Sequence, residues 1–169
     1  MIIRAVIFTI ISSMFLISCT SGKYVREDNY SYSSFSAKAF KRAALNTVKK
    51  YRRGECNLFV RDVLNQYNVK VEGNADGIID YIEKSSEWQK LEESEVLKRV
   101  KQGKIIVVCQ HKPPGYSAGH VAFVVDDDIG KKKNLLAVLG TYRGKIVTIN
   151  YEFDLNTTKN TPIAFFMLR

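Results

Sequence analysis

Arg53-Gly54-Glu55-Cys56-Asn57-Leu58-Phe59-Val60 is the stretch on which the reading of this chain turns. A glycine after a basic run closes one helical segment, and from Cys56 onward Phe59, Val60, Val63, Leu64 and Tyr67 share a stripe while Arg61, Asp62, Asn65 and Gln66 fall outside it. The pattern predicts a helix whose first residue is a cysteine. At a helix start the unpaired N–H groups and the positive end of the dipole favour a thiolate over a thiol. The same N–H groups can stabilise the oxyanion that develops when a thiolate attacks an amide carbonyl.

Working outward, Ala39, Phe40, Ala43, Ala44, Thr47 and Val48 predict an earlier helix beginning near Ala37. A third helix is expected over 75–85, with Ile78, Ile79 and Ile82 on its buried side, and a fourth over 94–102, with Ser94 as its N-cap and Gly103 ending it. Beyond Gly103 the helical period is lost. Residues 104–110, 120–126, 135–140, 146–151 and 163–168 are apolar or β-branched runs separated by turn signals such as Pro113-Pro114-Gly115 and Arg143-Gly144. Helices followed by strands predict an α+β domain, with N-terminal helices packed on a mostly antiparallel sheet. A length of 169 residues suits one such domain, expected over 37–169.

A thiolate nucleophile requires a partner that carries positive charge at rest and later protonates the leaving amine, which is the work of a histidine. The chain has two histidines. His120 follows Gly119 and opens the run Val121-Ala122-Phe123-Val124-Val125, which lets its ring project from the end of a sheet toward the Cys56 helix. His111 lies in a Lys-Pro-Pro-Gly turn and reads as an exposed loop residue. Taken residue by residue, a cysteine early in a helix and a histidine at a strand start are also ordinary structural features.

The surrounding words add to this. Residues 53–60 resemble the nucleophile segment of the CHAP family of cell-wall hydrolases and, more broadly, of the NlpC/P60 superfamily, and Gly119-His120-Val121-Ala122-Phe123-Val124 is similar to that superfamily's Gly-His-Val strand. Lys101-Gln102-Gly103-Lys104-Ile105-Ile106-Val107-Val108 resembles the strand before it, so the likeness spans roughly Lys50 to Tyr142. The resemblance implies a papain-like fold and cleavage of amide bonds in peptidoglycan, by an endopeptidase or amidase with Cys56 as nucleophile, His120 as base and acid, stem peptides as substrate, and no metal or organic cofactor. Cysteine precedes histidine here, unlike the circularly permuted lipid-acting relatives. By the same resemblance Tyr51, five residues before Cys56, lines the substrate site. The superfamily carries a third polar residue on the strand after the histidine strand. In 134–142 no carboxylate or amide stands at the far end; Thr141 is the nearest candidate for orienting His120, with a backbone carbonyl or water as substitutes. A wall-binding protein of the same fold without activity, and an exported protease or amidase acting on other peptides, are the alternative readings.

The N-terminus bears on location. Arg4 precedes a short apolar run, and Leu16-Ile17-Ser18-Cys19 resembles the lipobox of bacterial lipoproteins. The expectation is a signal peptide over 1–18, acyl chains on Cys19, and a polar Tyr/Ser-rich tether over 19–36 holding the domain to a bacterial membrane, the outer membrane in a Gram-negative cell. An ordinary signal peptide with an incidental cysteine is the bland alternative. Removing Cys19 from the thiol count leaves Cys56 and Cys109, which either form one disulfide or stay free, Cys109 ending a run that suits a buried strand. The net charge of +9 becomes +8 once Arg4 is removed, favouring polyanionic surfaces. Lys41-Arg42, Lys49 to Arg53, Lys98 to Lys104 and Lys131 to Lys133 spread that charge along the chain, and with no nucleic-acid-binding motif present the expected polyanions are lipid head groups and wall polymers.

Overall fold

The computed structural model describes residues 36–129, 135–154 and 161–169. The expected signal peptide, the lipidated Cys19, the tether up to residue 35 and the basic turn Lys131 to Lys133 lie outside the described residues. Among the described residues, α1 (Ala37–Val48), α2 (Cys56–Asn65) and α3 (Ala75–Lys84) are followed by β1 (Trp88–Leu91), α4 (Glu93–Lys101), β2 (Ile106–Gln110), β3 (His120–Val124), β4 (Ala137–Leu139), β5 (Ile146–Thr148), α5 (Ile149–Glu152) and β6 (Ile163–Leu168). The strands form one sheet in the order β1-β6-β2-β3-β4-β5, and every neighbouring pair is antiparallel. The α+β class is as expected.

Alternation along the strands sends side chains to two faces, and both faces are covered. Val107, Cys109, Val121, Phe123, Leu139 and Phe166 meet the stripes of α1, α2 and α3 in one core. Ile106, Val108, Ala122, Val124, Val138 and Phe165 meet Val96 and Val100 of α4 and Phe153 after α5 in a second. Burial on both sides accounts for the unbroken apolar run of β2. Phe123 of β3 anchors the first core, its ring edge-on to Phe40 of α1 at 5.1 Å and to Phe59 of α2 at 5.5 Å between centroids. Truncating a buried ring of this kind to alanine costs about 3–5 kcal/mol. The contact fixes α2 over β3, the two elements that carry Cys56 and His120.

Two local expectations change, and one strand is added that the sequence pattern did not mark. Trp88 starts a strand, paired with Leu168 at the sheet edge and buried. The fourth helix begins at Glu93 after an N-cap at Glu92, so Ser94 lies inside the helix; Glu93 and Glu95 instead place negative charge on the positive end of its dipole. The run 146–151 does not stay extended: β5 stops at Thr148 and the chain coils into the one-turn α5, a change that matters at the site. α3 starts at Ala75, where Asn74 accepts a 2.9 Å hydrogen bond from the Gly77 N–H.

Candidate active site

Cys56 is the first residue of α2 and is buried. The turn before it uses Gly54 at φ +94°, a conformation open to glycine without penalty. Glu55 occupies the N-cap position, but its carboxylate turns back to accept the Arg52 N–H at 2.7 Å, and no side chain caps α2. The N–H groups of the first turn are therefore left to serve the thiolate and a developing oxyanion. The Asn57 amide donates to the Gly73 carbonyl at 2.9 Å and ties this first turn to the loop before α3.

His120 is the first residue of β3, opposite Gln110 of β2. Its position depends on Gly119, whose N–H donates to both oxygens of the Asp76 carboxylate at 3.2 Å. A Cβ at Gly119 would stand 2.6 Å from the Gln110 carbonyl oxygen and 2.7 Å from an Asp76 oxygen, so only glycine lets α3 and β2 approach this closely. The glycine before His120 is thus a packing requirement. The ring of His120 lies edge-on to Phe153 at 4.8 Å.

Glu152 of α5 is the third side chain in this cluster. His120 Nε2 lies 3.0 Å from Glu152 Oε1, and the Tyr142 N–H donates to the same oxygen at 3.1 Å. The Glu152 side chain is fully buried, at 0 % exposure, so this bond is sheltered from water. Gly140 makes room for it: a Cβ there would sit 2.1 Å from Oε1. With Nε2 committed to Glu152, Nδ1 is the nitrogen left for the thiol. Thr141 does not take this role. It is buried beside the site, but its hydroxyl makes no hydrogen bond among the described residues, and the carboxylate of α5 occupies the position expected of it.

Cys56 and His120 interact directly through their side chains. Burial pushes the Cys56 thiol up, but the hydrogen bond and charge of His120, with backbone N–H groups of Val121 and Asn57, outweigh it and hold the thiol below its ordinary value. Burial likewise opposes a charged His120, yet the bonds and charges of Cys56 and Glu152 raise it to about 9. Both shifts favour a thiolate–imidazolium pair at neutral pH. The buried Cys109 is the contrast: burial, with the Glu83 charge, raises it well above an ordinary thiol and leaves it unreactive. Cys56 and Cys109 are both free, so the disulfide alternative is not realised.

A cleft of about 350 Å³ opens beside His120, lined by Arg53, Gly54, Gln110, Tyr116, Glu152 and Tyr142 among others; the buried Cys56 is not in its lining. A wider groove of about 940 Å³ between α1 and α2, lined by Lys38, Arg42 and Asp62, contains neither reactive residue. Tyr51 is not part of the cleft lining; its hydroxyl donates to Asp62 of α2, and its ring packs near Phe59. Burial, reinforced by that bond, raises the Tyr51 hydroxyl to about 12. The bond braces the segment after α1 against α2. His111 is exposed as expected, 3.0 Å from Glu83. No group of three or more His, Cys, Asp and Glu suited to a metal ion occurs among the described residues.

The sequence singled out Cys56 and His120, which the structure brings together, and did not point to Glu152 or Asp76 as their neighbours. Gly140 was the available signal for the first, since a glycine in an apolar strand marks a close approach. No known family model matches this chain, and a search of curated proteins finds no match.

Proposed function

We propose that this chain is a cysteine hydrolase of papain-like, NlpC/P60 or CHAP type that cleaves amide bonds in the peptide part of bacterial cell-wall peptidoglycan. The observation that carries the reading is the line Cys56, His120, Glu152, with a buried cysteine on an uncapped helix start and a half-buried histidine held by a buried carboxylate. A base oriented by a third group beside a nucleophile is the arrangement that acyl transfer requires. An antiparallel sheet with the nucleophile helix laid over the histidine strand supports the papain-like assignment.

In the reaction, the Cys56 thiolate attacks the amide carbon and the carbonyl π pair moves onto oxygen, where N–H groups at the start of α2 stabilise it. Collapse breaks the C–N bond as the His120 imidazolium gives its proton to the departing amine. Water then attacks the thioester; His120 takes a proton from it, and the Cys56 thiolate leaves with the S–C bond pair. Glu152 touches no reacting atom. It is a positioning residue that fixes the ring and favours its charged form.

The proposal extends to location: export, acylation of Cys19, and a tether that keeps the domain at the membrane facing the wall. Cys19→Ala should release the protein from the membrane fraction, and failure of the wild type to incorporate labelled fatty acid would end that part. For the activity, purified peptidoglycan is digested and the fragments are weighed by mass spectrometry. New amino and carboxyl termini that vanish in Cys56→Ala are expected; intact peptide from the wild type would refute the hydrolase reading.

A further inference from the structure

A cationic aromatic cluster that the hydrolysis step does not use starts in the cleft beside His120, with Arg53 and Tyr142, and continues outside its lining to Arg143 and Tyr151. The Arg53 guanidinium lies over the Tyr142 ring at 3.9 Å from its centroid, and Arg143 lies 4.7 Å from the same ring and 4.2 Å from that of Tyr151. Arg53 and Tyr142 both line the cleft beside His120. The cluster is tied to the chemistry at both ends: Arg53 stands three residues before Cys56, and the Tyr142 N–H holds Glu152.

Neither arginine has a carboxylate within 4.0 Å among the described residues, although the pairs Lys41–Asp127, Lys84–Asp80 and Arg99–Glu95 show that such partners are used elsewhere. A guanidinium stacked on a ring keeps its in-plane N–H donors free for an oxyanion, which an ammonium could not do with the same geometry. Two like charges gathered on one ring repel each other until an anion joins them. The acids of the cleft do not fill that role in full: Glu152 is turned inward onto His120, leaving Asp154 as the other acid in the lining.

We propose that Arg53 and Arg143, stacked on Tyr142, bind a free carboxylate of the substrate next to the amide that is cut. The proposal rests on the hydrolase reading and narrows it to acidic peptides. A carboxylate gripped by two guanidiniums through charge-assisted hydrogen bonds would fix the peptide's direction relative to Cys56.

Binding separates this from turnover. Cys56→Ala protein is sedimented with purified peptidoglycan sacculi, either native or with their carboxylates converted to carboxamides by carbodiimide and ammonia. Amidation should lower affinity roughly ten-fold or more. Adding Arg53→Gln and Arg143→Gln should lower binding to native sacculi to the same level and leave binding to amidated sacculi unchanged. Lys70→Gln with Lys90→Gln removes the same charge from exposed positions outside the cleft lining and should change affinity less than about two-fold. Equal binding to both sacculi, no binding to native sacculi, or an equal loss in the lysine variant would each overturn the proposal. The amidation arm stands even if the arginine variant misfolds. Wild-type digestion is scored separately: selective binding without new fragments would refute the hydrolase and leave the carboxylate site in place.

Discussion

The two histidines sit at the two ends of one connection, His111 just after β2 and His120 at the start of β3, and each has its Nε2 3.0 Å from a glutamate oxygen. By distance the pairs are identical. Their surroundings are not: His111 and Glu83 are 50 % and 38 % exposed, whereas His120 and Glu152 are 21 % and 0 % exposed. In water the first pair is screened and contributes about 0–1 kcal/mol. In the second, the carboxylate is removed from solvent, gains the Tyr142 N–H as a second donor and can bias both the orientation and the charge of the ring. What separates two pairs of equal length is the exclusion of water from one of them.

The largest contrast should come from exchanging the two rings for alanine. His120→Ala and Cys56→Ala should each lower kcat/KM by at least roughly 10³-fold, and the double variant should do little more, because the two act as a unit. His111→Ala should keep full turnover. Equal losses at the two histidines, measured on the same peptidoglycan digest, would break the comparison.

Removing charge from each glutamate sharpens it. Glu152→Gln keeps the size and one acceptor but loses the charge that stabilises the imidazolium, and kcat/KM should drop about 10–100-fold, whereas Glu83→Gln should leave it unchanged. The wild-type profile should decline as pH rises through about 9, where His120 loses its proton and the ion pair is lost. In Glu152→Gln that alkaline limb should move to lower pH, since the folded protein then holds the proton less tightly. An alkaline limb that stays in place would show that Glu152 does not act on His120.

A smaller effect is expected from Gly140→Ala, whose new methyl would overlap the Glu152 carboxylate and press on Ala122 at 3.1 Å. Displacing the carboxylate should destabilise the fold by about 1–3 kcal/mol in denaturant melts and impair turnover in the same direction as Glu152→Gln. Thr141→Val should do least. It removes a buried hydroxyl that has no partner among the described residues, so activity should stay within about two-fold and the melting temperature should hold or rise slightly. A marked loss of turnover would return Thr141 to the site.

The residues that were legible are those whose role shows in local periodicity. Cys56 announces itself because the apolar stripe of α2 starts there, and His120 because the β3 run starts there; both element starts fall where the pattern puts them. Strand β6 was readable to its last residue for the same reason. Short elements were not. Four residues of β1 and four of α5 are too few for a period to establish itself, and 146–151 carries, apart from Asn150, the β-branched and aromatic composition of a strand.

Sequence alone determined the class of the domain, the thiol at a helix start and the histidine at a strand start, because each follows from the spacing of neighbours along the chain. Tertiary structure decided which groups act on them. Glu152 reaches His120 across 32 residues only because α5 folds back beneath Gly140, and Asp76 reaches Gly119 across 43 only because α3 packs at the end of β3. Tyr51, near Cys56 in sequence, is claimed by Asp62, and Thr141, near the site in space, is left without a bond among the described residues. Charge and hydrogen bonding act through distance and burial, and these quantities are set when the elements pack, not by the order of residues.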